Sequence, residues 1–104
     1  MPPLAGGSVM ATYVPLSRMA PEVTADASSF RQIAEKVKQT IRKECPEVTW
    51  KDSFVVFGRF DTVDIFEAPN ETDAQKVAMI IRGLAKSTTE TMQAVPWKEF
   101  LANV

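Results

Sequence analysis

The residues whose side chains could do chemistry are concentrated in one stretch, FVVFGRFDTVDIFEAPNETD, at positions 54–73. Asp61, Asp64 and Glu67 follow one another at intervals of three, so in a strand Asp61 and Glu67 share one face and Asp64 lies on the other. A carboxylate among apolar side chains is costly when it is charged and unpaired, so each of these acids needs a partner. The arginines available to pair with them are Arg18, Arg59 and Arg82.

A polar pocket beside these acids would be lined by Tyr13 and Trp50. Asp64 and Glu90 are the best candidates for a catalytic acid or base, with Asp61 as a third candidate. No histidine is present to activate a serine, threonine or cysteine, so a nucleophile–base pair is not evident. The candidate ligand-binding residues are Tyr13, Arg18, Trp50 and Arg59.

The turn Gly58-Arg59-Phe60-Asp61 also has a structural interpretation, which we favour over a chemical one. Gly58 supplies a positive φ for a tight connection between paired strands. Asp61 accepts hydrogen bonds from exposed backbone N–H groups, as aspartates do in turns. Phe60 fills the core. These roles explain each residue type without a substrate.

Composition argues against several classes of protein. Twelve basic and thirteen acidic residues give a net charge of −1, so we expect no nucleic-acid partner. No apolar run approaches the ~18 residues that suggest a membrane span, so we expect no membrane association. Without histidine, and without a recognisable ligand spacing among the acids, we expect no metal and no cofactor.

The single cysteine, Cys45, lies where a helix ends before Pro46, and its spacing from Ile41 keeps it on the apolar face. A buried structural thiol is the favoured interpretation, because a reactive cysteine needs a cationic or helix-start environment. A single thiol fits a reducing compartment, so we expect a cytoplasmic protein.

The patterned part of the chain predicts the order β-α-β-β-α-β, followed by a short helix. Pro15 lies in the first strand and favours an edge or a bulge, because proline cannot donate to a sheet ladder. Gly83 lies inside the second helix, where it either weakens the helix or allows close packing. In the closing helix Trp97, Phe100 and Leu101 are expected to pack inward. The predicted strands are 11–17, 48–57, 62–68 and 88–95, and the predicted helices start at Thr24 or Asp26, at Asn70 and at Pro96.

This order is that of the ferredoxin-like fold, an α+β fold with a four-stranded antiparallel sheet and two helices on one face. Both faces of the predicted sheet carry large apolar side chains, whereas a sheet wetted on one side alternates more cleanly. In the second strand, Trp50 and Phe54 are predicted to share a face. We therefore expect a homodimer or higher homo-oligomer in which two sheets stack and bury Trp50, Phe54 or their opposite-facing neighbours.

Three segments resemble the GYD-domain proteins, a family named for a Gly-Tyr-Asp signature after the second strand. They are MATYVPLSR at 10–18, FGRFDTVDIFEAPN at 57–70 and TTETMQAVPWKEF at 88–100. The resemblance implies a dimeric α+β barrel and implies little about chemistry. Phe60 stands where the signature has tyrosine, so a role for that hydroxyl is lost here. The matched positions are Gly58, Phe60, Asp61, Asp64, Glu67, Pro69, Thr89, Glu90 and Thr91.

We expect one domain over residues 10–104, with residues 1–9 (MPPLAGGSV) as an N-terminal extension. Two classes of function stay open. The favoured one is a small oligomeric binding or accessory protein, either a small-ligand binder or a non-catalytic subunit that contacts a larger enzyme subunit through residues 1–9. The alternative is a cofactor-independent small enzyme acting on a reactive small molecule in a pocket between sheet and helices, by analogy from the fold.

Overall fold

The computed structural model describes residues 10–104 of the chain. The order of elements is the predicted one, with an additional short helix, α1, before the first long helix. Residues 1–9, which we expected to contact a partner subunit, lie outside the described residues. The strands are β1 (Ala11–Met19), β2 (Thr49–Val55), β3 (Thr62–Ala68) and β4 (Ser87–Ala94), and the helices are α1 (Pro21–Thr24), α2 (Ala27–Glu44), α3 (Glu71–Leu84) and α4 (Trp97–Ala102).

The four strands form one antiparallel sheet in the order β2-β3-β1-β4. This is the ferredoxin-like arrangement that the sequence predicted, with β1 and β3 in the centre and β2 and β4 at the edges. The register places Tyr13 of β1 between Phe66 of β3 and Gln93 of β4. These neighbours fix which side chains share each face.

Side-chain caps define where both long helices begin. The Asp26 carboxylate accepts hydrogen bonds from the backbone N–H groups of Ser28 and Ser29 at 3.4 and 3.3 Å. The Asn70 side chain accepts one from the Asp73 N–H at 2.8 Å. Such caps satisfy N–H groups that the first turn of a helix leaves without partners. They therefore fix the residue at which each of these helices begins.

The core lies between the helices and one face of the sheet. Tyr13, Phe66 and Trp50 form a stacked row across β1, β3 and β2, with ring centroids 5.5 Å apart in the first pair and 5.4 Å in the second. Phe66 is fully buried, whereas Trp50 is 38 % exposed. Ile41 and Val77 belong to the same buried cluster as Tyr13 and Phe66. The aromatic row thus runs from the packed centre of the domain to its open edge.

A β-bulge in β2 corrects the predicted assignment of faces. The register between β2 and β3 shifts by one residue between Trp50 and Asp52. An extra residue of this kind reverses the face of every later side chain in the strand. Trp50 pairs with Phe66 on the helix side, whereas Phe54 pairs with Val63 on the opposite side. The prediction that Trp50 and Phe54 share a face is therefore wrong.

The face of the sheet away from the helices, called the open face below, is largely apolar and is bordered by polar residues such as Arg18, Asp52 and Glu90. Phe54 and Met92 are each 49 % exposed there. An apolar patch bordered by polar residues is typical of an interaction surface. Both faces of the sheet are thus apolar, as predicted. The apolar residues that the register places on the open face are Val14, Leu16, Phe54, Val63, Ile65, Met92 and Ala94.

Pro15 lies in the central strand β1, fully buried, and not at an edge of the sheet. The pairing of β1 with β3 runs up to Tyr13 and resumes at Leu16, so it is interrupted around the proline. A residue without an N–H is tolerated in the middle of this sheet because the ladder already has a gap there.

The closing helix α4 does not pack inward, so that prediction is wrong. Trp97 is 73 % exposed, and Phe100 and Leu101 are about half exposed. Only two residues separate β4 from α4, and β4 is an edge strand, which keeps α4 away from the core under α2 and α3. Trp97 and Phe100 instead stack on each other, with ring centroids 6.3 Å apart.

Candidate functional site: a cleft between α2 and the sheet

A cleft of about 680 Å³ lies between α2 and the helix-facing side of β2 and β3. Phe30, Ile33 and Val37 form its helical wall, and Trp50 and Asp64 lie on its strand wall. Small-molecule sites typically measure roughly 300–1,000 Å³ and are mostly apolar with a few polar groups. The cleft has both properties.

The cleft exists because the apolar stripe of α2 extends beyond its packing partners. Ile41 is buried, but Phe30, Ile33 and Val37 are only half-buried. Helix α2 packs against α1 and α3, and the edge strand β2 is exposed along its length. Apolar side chains of the helix and the strand therefore face each other across open space.

Asp64 is the ionisable group on the strand wall of the cleft. Desolvation by burial raises the pKa of its carboxyl above the ordinary value of 3.8, and a hydrogen bond from the Ser53 hydroxyl to the carboxylate partly opposes this shift. Ser53 lies directly across from Asp64 on β2. Its Oγ also accepts a hydrogen bond from Trp50 Nε1 at 2.7 Å. Trp50, Ser53 and Asp64 thus form a short hydrogen-bonded chain in an otherwise apolar wall.

The structure brings Trp50 and Asp64 together in the cleft and places Tyr13 elsewhere. Tyr13 is buried on the other side of Phe66, in the core beneath α3. Burial raises the pKa of its phenol, and the negative charge of Glu71 adds a smaller effect in the same direction. Tyr13 therefore belongs to the packed end of the aromatic row and does not line the cleft.

Glu90 and Arg18 belong to the open face. The register places Glu90 opposite Leu16 and Arg18 opposite Thr88, on the side of the sheet away from Asp64. The Arg18 guanidinium donates a hydrogen bond to the Arg59 backbone carbonyl. Because the sheet lies between them, Glu90 and Asp64 of one chain do not face a common pocket.

The turn between β2 and β3 is held by its own contacts. Gly58 has φ of +115°, a conformation that residues with a side chain rarely adopt. Asp61 Oδ2 accepts a hydrogen bond from the Met19 backbone N–H at 2.8 Å, which ties the turn to the end of β1. Phe60 is half-buried, and its ring centroid lies 5.8 Å from the guanidinium carbon of Arg59. Neither Asp61 nor Arg59 lines the cleft.

Cys45 is buried, as the sequence predicted, and lines the cleft at the end of α2. Burial is the main reason that the pKa of its thiol is raised. A thiol held in its protonated form is a poor nucleophile. Cys45 therefore acts as a small apolar contact.

Sequence reasoning missed the helical wall of the cleft and the role of Ser53. The periodicity of Phe30, Ile33 and Val37 indicated an amphipathic helix, and it gave no sign that the facing strand leaves a gap. Ser53 was hidden by the bulge, because simple alternation from Trp50 places Ser53 on the opposite face from its observed one. The polar pair Asp52-Ser53 within an apolar strand was the available signal.

Two findings apply to residues 10–104 alone. No group of three or more histidine, cysteine, aspartate or glutamate side chains there is arranged to hold a metal ion. None of the helices in that range combines the length and the apolar character needed to cross a membrane.

The family profile described as the GYD domain matches residues 13–104, which include all the elements of the cleft and the turn. The chain belongs to the GYD-domain family. The match confirms the resemblance carried by the Gly-x-aromatic-Asp turn and the two flanking segments of this GYD-domain protein. No curated protein matches the chain.

Among solved structures, the GYD-domain protein is similar to the crystal structure of the leucine response regulatory protein of Mycobacterium tuberculosis. The TM-score is 0.52 at 16 % sequence identity, and the alignment covers 91 % of this chain and 56 % of the regulator. At this identity the similarity shows the fold alone. The chain spans a little over half the length of that regulator.

Proposed function

We propose that this GYD-domain protein is a small homo-oligomeric binding protein that holds a small molecule in the cleft between α2 and the sheet. The observation that carries the proposal is the cleft itself, an apolar space of about 680 Å³ with the Asp64 carboxyl on its wall. Apolar side chains that line it, such as Val37, are only half-buried and lack apolar contacts on the side of the cleft, and removing apolar surface from water is favourable. A bound apolar molecule would supply those contacts.

The oligomeric part of the proposal rests on the open face. Phe54 and Met92 are half exposed in a single chain, and apolar residues such as Leu16 and Val63 lie between them in the sheet. Stacking two copies sheet on sheet would bury this surface in a dimeric α+β barrel. The similarity in fold to the leucine response regulatory protein is compatible with a binding or regulatory role.

A cleft-filling substitution tests the binding function. Val37→Trp places an indole in the cleft, and Gln39→Trp makes the same change at an exposed position of α2. We expect ring-containing small molecules to raise the unfolding temperature of the wild type and of Gln39→Trp, and not that of Val37→Trp. The measurement is a thermal-shift screen with uncharged, cationic and anionic probes. A screen in which no probe shifts the wild type, or in which Val37→Trp responds equally, would defeat the proposal.

The second candidate function is a cofactor-independent enzyme that uses the cleft. The observation that favours this function is that burial raises the pKa of the Asp64 carboxyl above its ordinary value. A general acid or base works best when its pKa lies near the working pH. Asp64→Asn would then abolish turnover, whereas Asp61→Asn, outside the cleft, would retain it. Activity equal to that of the wild type in both variants would show that neither carboxylate is catalytic.

The proposal also includes a contact between residues 1–9 and a larger enzyme subunit, a cytoplasmic location and no nucleic-acid partner.

A further inference from the structure

The cleft of a single chain is open along the edge strand β2, which is exposed along its length. We propose that a second copy of the chain closes it. In the sheet-on-sheet pair suggested above, helix α4 of each copy lies across the mouth of the other copy's cleft, so that each binding site is formed by two chains. This inference rests on the proposed pairing and names the part of the partner that completes the site.

The first surface that the inference requires is the apolar side of α4. Trp97 is 73 % exposed, and Phe100 and Leu101 are about half exposed. These three residues share one side of the helix, because positions i, i+3 and i+4 are neighbours on a helix surface. Among residues 10–104, α4 has no extensive contact with another helix or strand. Anchors with this spacing are typical of a helix that lies in an apolar groove of another chain.

The second surface is the mouth of the cleft. On its strand side, Trp50 is 38 % exposed and Val55 is 73 % exposed, although both line the cleft. On its helix side, Lys38 and Arg42 line the cleft and are exposed. The mouth is therefore apolar along β2 and basic along α2. An apolar helix placed here would exclude water from the strand side.

The two surfaces lie at the same end of the sheet but at opposite edges. One row of paired residues crosses the sheet at this end, namely Ala94, Thr12, Glu67 and Thr49. Helix α4 starts shortly after Ala94, and Trp50 follows Thr49 directly. Three strand spacings of about 4.8 Å separate β4 from β2, which keeps α4 of one chain away from its own cleft.

Two-fold symmetry brings the two surfaces together between chains. Most homodimers are related by a two-fold axis. If the open faces stack with this axis parallel to the strands, β4 of one copy lies over β2 of the other, and each end of the sheet lies over the same end. Helix α4 then lies beside Trp50 of the other copy. An axis perpendicular to the strands would place β4 over β4 with the ends exchanged, and α4 would stay away from both clefts.

The dimensions and charges of α4 agree with this placement. Its six residues span about 9 Å. Stacked sheets lie about 10 Å apart, so a helix that leaves one sheet can reach the edge of the other. Glu99 of α4 has the opposite charge to Lys38 and Arg42 at the mouth of the cleft. Opposite charges on two surfaces favour their association in one orientation.

Cysteine cross-linking between differently tagged chains tests the placement. One chain carries Arg42→Cys at the mouth of the cleft, and the other carries Lys98→Cys, next to Trp97 on α4. We expect oxidation of the mixed sample to join the two chains by a disulfide. Lys36→Cys, which lies on α2 outside the cleft, is the matched control and should form no disulfide with Lys98→Cys. The native Cys45 is buried, and the oxidised wild type serves as the background.

The fluorescence of Trp97 provides a second measurement. Trp50→Phe leaves Trp97 as the one tryptophan of the chain. We expect Trp97 in this variant to be protected from quenching by acrylamide at micromolar concentration. Adding Met92→Lys on the open face, to separate the pair, should remove that protection.

The outcomes distinguish this inference from the proposed function on which it rests. A wild type with the mass of one chain would overturn both the pairing and this inference. A stable pair that lacks the disulfide between Arg42→Cys and Lys98→Cys would overturn this inference alone. Disulfides between two Lys98→Cys chains would then place α4 against α4. Trp97 that is equally quenched in the pair and in the separated chains would also overturn this inference alone.

Discussion

The environment of Asp64, and not its spacing in the sequence, distinguishes this carboxyl from the neighbouring acids. On the strand it is one of three similarly spaced acids, but the structure gives it alone a place in the cleft wall. Asp61 instead accepts a backbone hydrogen bond at the end of β1. The spacing in the sequence identified the acids. Their different roles come from their neighbours in the fold, Ser53 for Asp64 and the Met19 backbone for Asp61.

The burial of Asp64 makes the stability of the protein depend on pH. Because its pKa is raised in the folded state, the folded protein holds this proton more tightly than the unfolded chain does. The favourable contribution is therefore complete below the ordinary value of 3.8 and is lost as the pH rises through the folded-state pKa. As the pH rises over that range, we expect the free energy of unfolding of Asp64→Asn to increase relative to that of the wild type.

Urea denaturation at a series of pH values measures this difference. Asp52→Asn removes an exposed carboxylate from the adjoining strand and is the matched control. A gap between Asp64→Asn and the wild type that stays constant from acid to neutral pH would contradict the prediction.

The helices and strands could be predicted from the sequence. Their positions relative to one another could be predicted less well. Asp26 and Asn70 are caps whose side-chain chemistry is local, so the sequence indicates where α2 and α3 start. The face of Phe54 depends on an extra residue in β2 that periodicity does not reveal. The cleft depends on the distance between α2 and β2, which no local pattern encodes. The helix caps could therefore be predicted from the sequence, whereas the cleft between α2 and β2 could not.

Gly83 allows a test of propensity within α3. Among residues 10–104, no atom lies within 4 Å of the position that a Cβ would take here, so close packing within that part of the chain does not explain the glycine. We expect Gly83→Ala to raise the free energy of unfolding by about 0.5–1 kcal/mol, the usual difference between the two residues inside a helix. Gly58→Ala is the matched control and should be destabilising, because φ at that position is +115°. A loss of stability in Gly83→Ala would contradict the prediction.

In the whole molecule, the open face is the surface on which the expected pairing of two chains depends. Apolar residues on both sides of the sheet led to the expectation of sheet-on-sheet pairing, and Phe54 and Met92 are indeed half exposed in the single chain. Trp97 and Leu101 of α4 add exposed apolar surface next to the same edge strand β4. A second copy is our proposed partner for the open face.

Two substitutions of the same type test the pairing. Met92→Lys introduces a charge on the open face, and Met79→Lys introduces one on α3, where the methionine is 68 % exposed. Both side chains are accessible in a single chain, so neither change should prevent folding. We expect Met92→Lys to lower the mass measured by light scattering at micromolar concentration to that of one chain, because a buried, unpaired charge opposes association. Met79→Lys should leave the mass unchanged.

A wild type that already has the mass of one chain would rule out the paired assembly. An oligomer that survives Met92→Lys would indicate contacts elsewhere, for example through α4.

The bulge in β2 affects which deletions the protein can tolerate. Trp50 and Asp52 of β2 pair with neighbouring residues of β3, Phe66 and Ile65. Lys51, between them, has no partner in β3. Loss of the Lys51 codon would therefore restore regular pairing, with Ser53 still turned to the cleft and Phe54 still on the outer surface. Deletion of Lys51 should therefore be milder than deletion of a paired residue of β2, which would move other side chains of the strand to the opposite face.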